Sequence, residues 1–280
     1  MLDKARLSWE RLRRPPGSAI QSSQHAPSEL PNRPLRVLSF NIQAGIGTRS
    51  YHQYVTRSWR HFVSDRKLMP LLNDIGEVIS DFDIVALQEV DAGSLRSGFV
   101  NQVEFLAKRA GFEFWHKQVN RDFGRLGQFC NGLLSRFVPY SIEDHRLPGL
   151  RGRGAVVARF GNPKEPLIVV GLHLALTERA RFWQLGYVRD LVRTHEHVIV
   201  MGDMNCRADA LVDTPLRDTH LKPAATPLNT FPAWAPNRNI DHILVSPSLR
   251  IERVEVLDCN LSDHRPIAMD VILPASALSF

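Results

Sequence analysis

The feature that most constrains this chain is a series of short aliphatic, β-branched runs, several of which stop abruptly at an acid, an amide or a histidine. The runs are LRVLSF (35–40), DIVALQ (83–88), CNGLLS (130–135), GAVVARF (154–160), LIVVGLH (167–173), HVIVMG (197–202), IDHILV (240–245) and RPIAMDVI (265–272). Runs that are apolar nearly throughout are what strands covered on both faces require. Between them, residues 68–80, 98–110 and 178–194 carry helical periodicity. In the last, Ala180, Trp183, Leu185, Val188, Leu191 and Val192 recur at three-to-four spacing, and Thr177 precedes them as an expected N-cap. Many strands with a few interspersed helices predict an α/β (α+β) chain in which two packed sheets are flanked by helices.

The polar residues that close these runs would gather at one edge of such a sandwich. Asn41 follows the first run, Glu89 the second, His173 ends the fifth, and Asp203 and Asn205 follow the sixth. Asp241 opens the seventh, and Asp263 with His264 precedes the last. Any one of them alone reads as a turn former or a solvated charge. Eight groups able to bind a cation or move a proton, delivered from six strand ends, point instead to a shared catalytic cleft.

Composition narrows the setting. The 280 residues are 44% hydrophobic and 23% charged, ordinary values for a globular chain. The formal net charge is +6, but residues 1–36 hold seven basic side chains against three acidic ones. The rest is near neutral, which argues against the broad basic face that extensive nucleic-acid contact needs. Residues 15–34 are rich in Pro, Ser and Gln and read as a flexible linker behind a basic leader, with the folded domain spanning 35–280. A weak contact of residues 1–14 with an anionic membrane surface is the functional alternative to a merely solvated leader. The charged N-terminus has no secretory h-region, and Cys130, Cys206 and Cys259 form neither a disulfide framework nor a zinc spacing. A monomer in the cytoplasm, or peripheral to the inner face of the membrane, is expected. Tyr51, Tyr54, Trp59 and His61, interleaved with arginines within 47–67, read as a substrate-facing lid.

The segments SFNIQ (39–43), LQEV (87–90), CNGLLSR (130–136), GLHL (171–174), GDMN (202–205), IDHI (240–243) and SDHRPI (262–267) resemble, in order, the motifs of the endonuclease/exonuclease/phosphatase superfamily. The resemblance covers residues 35–273. It implies a four-layer sandwich of two mixed sheets with helices outside, and a metal-dependent phosphoesterase site at one edge.

Phosphodiester hydrolysis needs charge neutralised on the phosphoryl oxygens, an activated water, and help for the leaving oxygen. A hard cation, Mg²⁺ with Mn²⁺ as the alternative, suits oxygen ligands. Glu89 is the first choice of ligand, assisted by Asn41 and Asp263, a set the resemblance also implies. Asp203 is expected to orient or deprotonate the water, with Asn205 donating to the phosphate or positioning Asp203. His264 is expected to contact the phosphate and carry a proton, its ring held by Asp241. His173 is expected as a second acid–base or phosphate contact, and Asn131 as a phosphate donor weighed equally against a turn or core role. Relatives carry a glutamate near position 151, where this chain has Arg151; its absence leaves His173 without an expected partner, while Arg151 and Arg153 can instead clamp phosphate. The expected substrate is a phosphodiester, nucleic acid or phospholipid head group, with a small phosphomonoester or a non-catalytic binding role as alternatives.

Overall fold

The computed structural model describes residues 28–43, 65–123, 127–149, 151–223 and 228–278. The basic leader, most of the expected linker and nearly all of the expected lid lie outside these residues. The last part of the expected linker, residues 28–34, is docked on the domain. The Ser28 amide donates to the Val138 carbonyl, Leu30 is buried in the core, and the Arg33 guanidinium forks onto the buried Asp83 carboxylate at 2.7 and 2.8 Å. One apolar anchor and one bidentate ion pair are enough to fix a stretch whose composition alone reads as loop.

The chain then alternates strands and helices: β1 (Leu35–Asn41), α1 (Asp65–Ile79), β2 (Ile84–Asp91), α2 (Gln102–Ala110), β3 (Phe114–Asp122), β4 (Gln128–Ser135), β5 (Ser141–Arg146), β6 (Gly154–Phe160), β7 (Leu167–His173), α3 (Glu178–Val192), β8 (His197–Asp203), α4 (Ala208–Leu211), β9 (Lys222–Pro223), β10 (Asp241–Val245), β11 (Arg250–Val256), β12 (Ile267–Ile272) and α5 (Ala275–Leu278). They form two mixed six-stranded sheets, ordered β11-β12-β1-β2-β4-β3 and β5-β6-β7-β8-β10-β9. Each contains one parallel pair, β1 with β2 and β7 with β8.

Three apolar layers explain the runs. Val37, Ile84, Leu133, Val156, Val169 and Met201 interleave between the sheets. Leu38, Val85 and Leu134, one residue out of phase, meet Leu72, Ile75 and Leu106 of α1 and α2. Ile168, Val170 and Val200 meet Leu185 and Val188 of α3. Central strands therefore bury both faces. No helix among the described residues is long and apolar enough to cross a membrane.

Two local expectations need correction. α2 begins at Gln102 rather than at residue 98, because Gly98 and Phe99 take positive φ values of 60° and 64° and Asn101 supplies the cap, accepting from the Glu104 amide. On α3 the buried face is built from Gln184, Leu185, Tyr187, Val188 and Val192, while Trp183 is half exposed. Thr177 does occupy the N-cap position, but its side chain makes no capping hydrogen bond.

Candidate active site

The two sheets meet at one end of the sandwich in a row of side-chain pairs, each joining a strand of one sheet to a strand of the other. Asn131 of β4 donates to the Gly154 carbonyl of β6 at 3.0 Å. Glu89 of β2 lies 3.9 Å from Nε2 of His173 at the end of β7. Asn41 of β1 donates to Asp203 Oδ2 of β8 at 3.1 Å. His264, just before β12, meets Asp241 Oδ2 of β10 at 2.8 Å through Nδ1. Within the second sheet the register sets Gly154 beside His173, His173 beside Asp203 and Asp203 beside Asp241. Four neighbouring strands thus end in one line.

Local backbone chemistry aims the groups. Between Leu87 and Val90 the ladder of β2 on β4 carries two residues opposite one, a bulge in which Glu89 takes φ 54°. The bulge turns the Glu89 carboxylate out of the sheet into the cleft, where its side chain is one-third exposed. At the end of β8, Gly202 has φ 154°, and a Cβ there would lie 1.9 Å from the Leu172 carbonyl oxygen. Gly202→Ala is therefore expected to cost about 3 kcal/mol or more, since the clash is with backbone that cannot rotate away; chemical denaturation checks this. Asn205, at φ 51°, folds back so that its amide donates to Asp203 Oδ1 at 2.9 Å and its side chain donates to the Leu174 carbonyl at 3.0 Å.

Asp203 is the hub. It is buried, receives hydrogen bonds from Asn41 and Asn205, and has Nε2 of His173 and of His264 at 3.4 and 3.9 Å from Oδ2. Burial first, then the Asp241 charge, pushes its carboxyl up to about 7. Burial alone would push His264 down, but the charges of Asp241 and Asp203 and the hydrogen bond to Asp241 outweigh it and raise the ring to about 10. His264 is thus an imidazolium, and its ring also sits 4.9 Å from that of Phe231. His173 is the opposite case: burial, then the neighbouring cations, holds it well below the usual histidine range. Its Nδ1 accepts from Arg153 at 2.9 Å, which leaves the proton on Nε2, facing Asp203 and Glu89. Arg153 is thus the hydrogen-bond partner of His173 at Nδ1. Asp263, bound by the Ser262 hydroxyl at 3.1 Å, is raised by burial and by repulsion from Glu89.

The expected phosphate contact from Asn131 meets a constraint. Its amide hydrogens are already engaged by Gln118 Oε1 at 3.3 Å and the Gly154 carbonyl, so the side chain braces the two sheets. Sequence reasoning missed Thr230, whose hydroxyl donates to Asp241 Oδ2 at 2.5 Å, and Gln118, whose amide bridges the His145 and Ala155 carbonyls. Thr230 lies in an irregular segment with no periodicity to flag it. Cys130 and Cys206 are buried, and burial raises the Cys206 thiol to about 11, in line with an inert filler role.

Asp203, Asp241 and His264 offer ligand atoms within 4.8 Å of one another. His264 Nδ1 and the Thr230 hydroxyl both meet Asp241 Oδ2, while the buried Asp241 Oδ1 has no hydrogen-bond partner among the described residues. The donors that fit a hard cation are oxygens: Glu89 in the cleft, Asp263 repelled by it, and Asn41 Oδ1, which accepts from the Gln43 amide. A carboxylate raised by repulsion from its neighbour is a setting that a divalent cation relieves.

A two-sheet sandwich with this row of acids, amides and histidines at its edge defines a class of phosphoester hydrolases. The model of the Endonuclease/Exonuclease/phosphatase family matches residues 38–264, and the chain belongs to that family, whose members act on phosphoesters and are generally metal-dependent. Similar solved structures include an endonuclease/exonuclease/phosphatase from Beutenbergia cavernae, 20% identical, with 87% of this chain and 72% of that one covered at a TM-score of 0.66. The catalytic domain of human Nocturnin with bound sulfate is 18% identical, covering 91% and 99% at 0.62. A mannosyl-6-phosphatase from Bacteroides thetaiotaomicron is 19% identical, covering 85% and 100% at 0.61. No curated protein matches the sequence significantly. At these identities the structural likeness carries the fold.

Proposed function

We propose that the chain is a Mg²⁺-dependent phosphodiesterase that hydrolyses its substrate by direct attack of water. The observation that carries this reading is the position of Asp203, held between Asn41, Asn205, His173 and the His264–Asp241 pair. A buried carboxyl near neutrality is suited to take a proton from an attacking water. Asn205 and Asn41 fix its two oxygens. His264, kept protonated and oriented by Asp241 and Thr230, presents Nε2–H to the phosphoryl oxygens and can hand its proton to the leaving oxygen. His173, a neutral donor oriented by Arg153, contributes a second N–H. Glu89, with Asn41 and Asp263, would hold the cation, which when bound neutralises phosphoryl charge.

Hydrolysis of bis-p-nitrophenyl phosphate beside p-nitrophenyl phosphate, with Mg²⁺ or Mn²⁺ and with chelator, tests the reading. Cleavage of the diester that requires metal supports it. Preference for the monoester moves the protein to a phosphatase, and metal-independent cleavage rejects the cation's role. Glu89→Gln is expected to raise the Mg²⁺ concentration needed for half-maximal activity by about tenfold or more, removing one of at most two carboxylate ligands. An unchanged metal titration would place the cation on other residues.

A further inference from the structure

Beside the catalytic row opens a cleft of about 670 Å³. It shares Glu89 and His173 with the site, but Asp203, Asp241 and His264 do not line it. The cleft therefore extends the site from Glu89 and His173 away from Asp203, Asp241 and His264. Three of its lining residues are Arg121, Arg151 and Arg153.

Several arginines of the protein are neutralised within the fold. Arg159, Arg189, Arg253 and Arg265 each pair with a carboxylate. Among the described residues no ion pair joins Arg121, Arg151 or Arg153 to one. Arg153 is turned onto His173, as described above. Arg121 stands at the end of β3, paired with Phe129 of β4 past a bulge that adds one residue to β3. Its side chain runs along Gly152, where a Cβ would lie 3.5 Å from Cδ and Nε, and its guanidinium sits 5.3 Å from the centre of the Phe123 ring. Arg151 projects from the β5–β6 hairpin loop, which is closed by the Leu147 amide on the Arg153 carbonyl at 3.1 Å. Arg121 and Arg153 are close enough to repel each other. Arg153 is also drawn to Glu89 and Asp203, which leaves Arg121 and Arg151 as the cations on this concave wall open to an anion. A cleft of this volume fits a small molecule, not a duplex.

We propose that Arg121 and Arg151 form a second anion subsite, so that the substrate is a small phosphoester carrying another phosphate beside the one that is hydrolysed. The proposal rests on the hydrolase reading above and adds the substrate class. Planar guanidinium forks match phosphate oxygens in two-point contacts, which explains arginine rather than lysine at both positions.

The test uses two chromogenic diesters that differ only in the second phosphate: the p-nitrophenyl ester of thymidine 5′-phosphate, and the same ester with a 3′-phosphate. The full chain is expected to prefer the second by about tenfold or more in kcat/KM. Arg121→Ala and Arg151→Ala are each expected to reduce that ratio severalfold, and the double variant to bring it near one, while Arg250→Ala, on the edge strand β11, leaves it unchanged. No preference in the parent chain, or equal losses on both esters, overturns the proposal. A readout without turnover separates it from the hydrolase reading: calorimetric binding of thymidine 3′,5′-bisphosphate against thymidine 5′-phosphate. If no diester is cleaved but the bisphosphate binds more tightly and the double variant abolishes the difference, the subsite stands and the hydrolase reading fails. Equal binding of both nucleotides overturns the subsite.

Discussion

Asp203→Asn is expected to lower turnover on bis-p-nitrophenyl phosphate by about a thousandfold or more, within the range seen when a positioned base is removed, and at the same time to stabilise the metal-free protein. The two effects have one origin. Burial and the Asp241 charge raise the Asp203 carboxyl to about 7, far above its value of 3.8 in an unfolded chain. The folded state therefore binds the Asp203 proton more tightly than the unfolded state. Stability falls as pH rises from about 4 to 7, and the full penalty of the buried anion is present above 7. An amide at this position removes that penalty while still accepting from the Asn205 amide. Thermal unfolding in chelator at pH 8 is expected to show a higher midpoint for the variant. An active variant would remove Asp203 from the mechanism, and a lower midpoint would show that its charge is compensated in the folded chain.

His264→Ala is expected to have the opposite stability sign with a comparable loss of turnover, about a hundredfold to ten-thousandfold. Here the folded state raises the pKa, from 6.5 to about 10, because Asp241 and Asp203 outweigh burial. The stabilisation is fully present below pH 6.5 and is lost as pH rises through 10. Removing the ring leaves the buried Asp241 carboxylate with Thr230, its Oδ1 already having no hydrogen-bond partner among the described residues. Breaking a buried charge pair in this way costs about 3–5 kcal/mol. Denaturation of the metal-free protein at pH 7 checks the sign, and turnover under saturating Mg²⁺ checks the chemistry. A variant as stable as the parent would show that His264 is neutral in the folded chain.

The sequence made the interior of both sheets legible and left their margins obscure. β3, β5, β9 and β11, none of them expected, are the four edge strands of the two sheets. Their segments, such as RIERVEV, are charged because an edge strand meets solvent and is guarded against pairing with other chains. Central strands had to be apolar on both faces, so LIVVGLH and HVIVMG stood out, and with them the polar residues at their ends. The candidate site was legible for the same reason: its residues adjoin apolar runs. What sequence could not supply was pairing across the sandwich. Nothing in GLHL or in LPGLRGRGA joins His173 to Arg153, and the separation of Asn41 from Asp203 by 162 positions has no local signature. The bulge that exposes Glu89 is likewise a property of β2 laid on β4, not of LQEV.

The row of cross-sheet pairs also sets when in folding the cleft can exist. Asn41 must find Asp203, Glu89 must find His173, and Asp241 must find His264, contacts with the loop-closure cost of distant partners. Helices and neighbouring strands can form from local contacts alone; the catalytic end cannot. It is assembled when one sheet docks on the other with β12 already in place, so the protein is expected to gain its shape before its chemistry, and recovery of activity during refolding to lag behind recovery of secondary structure.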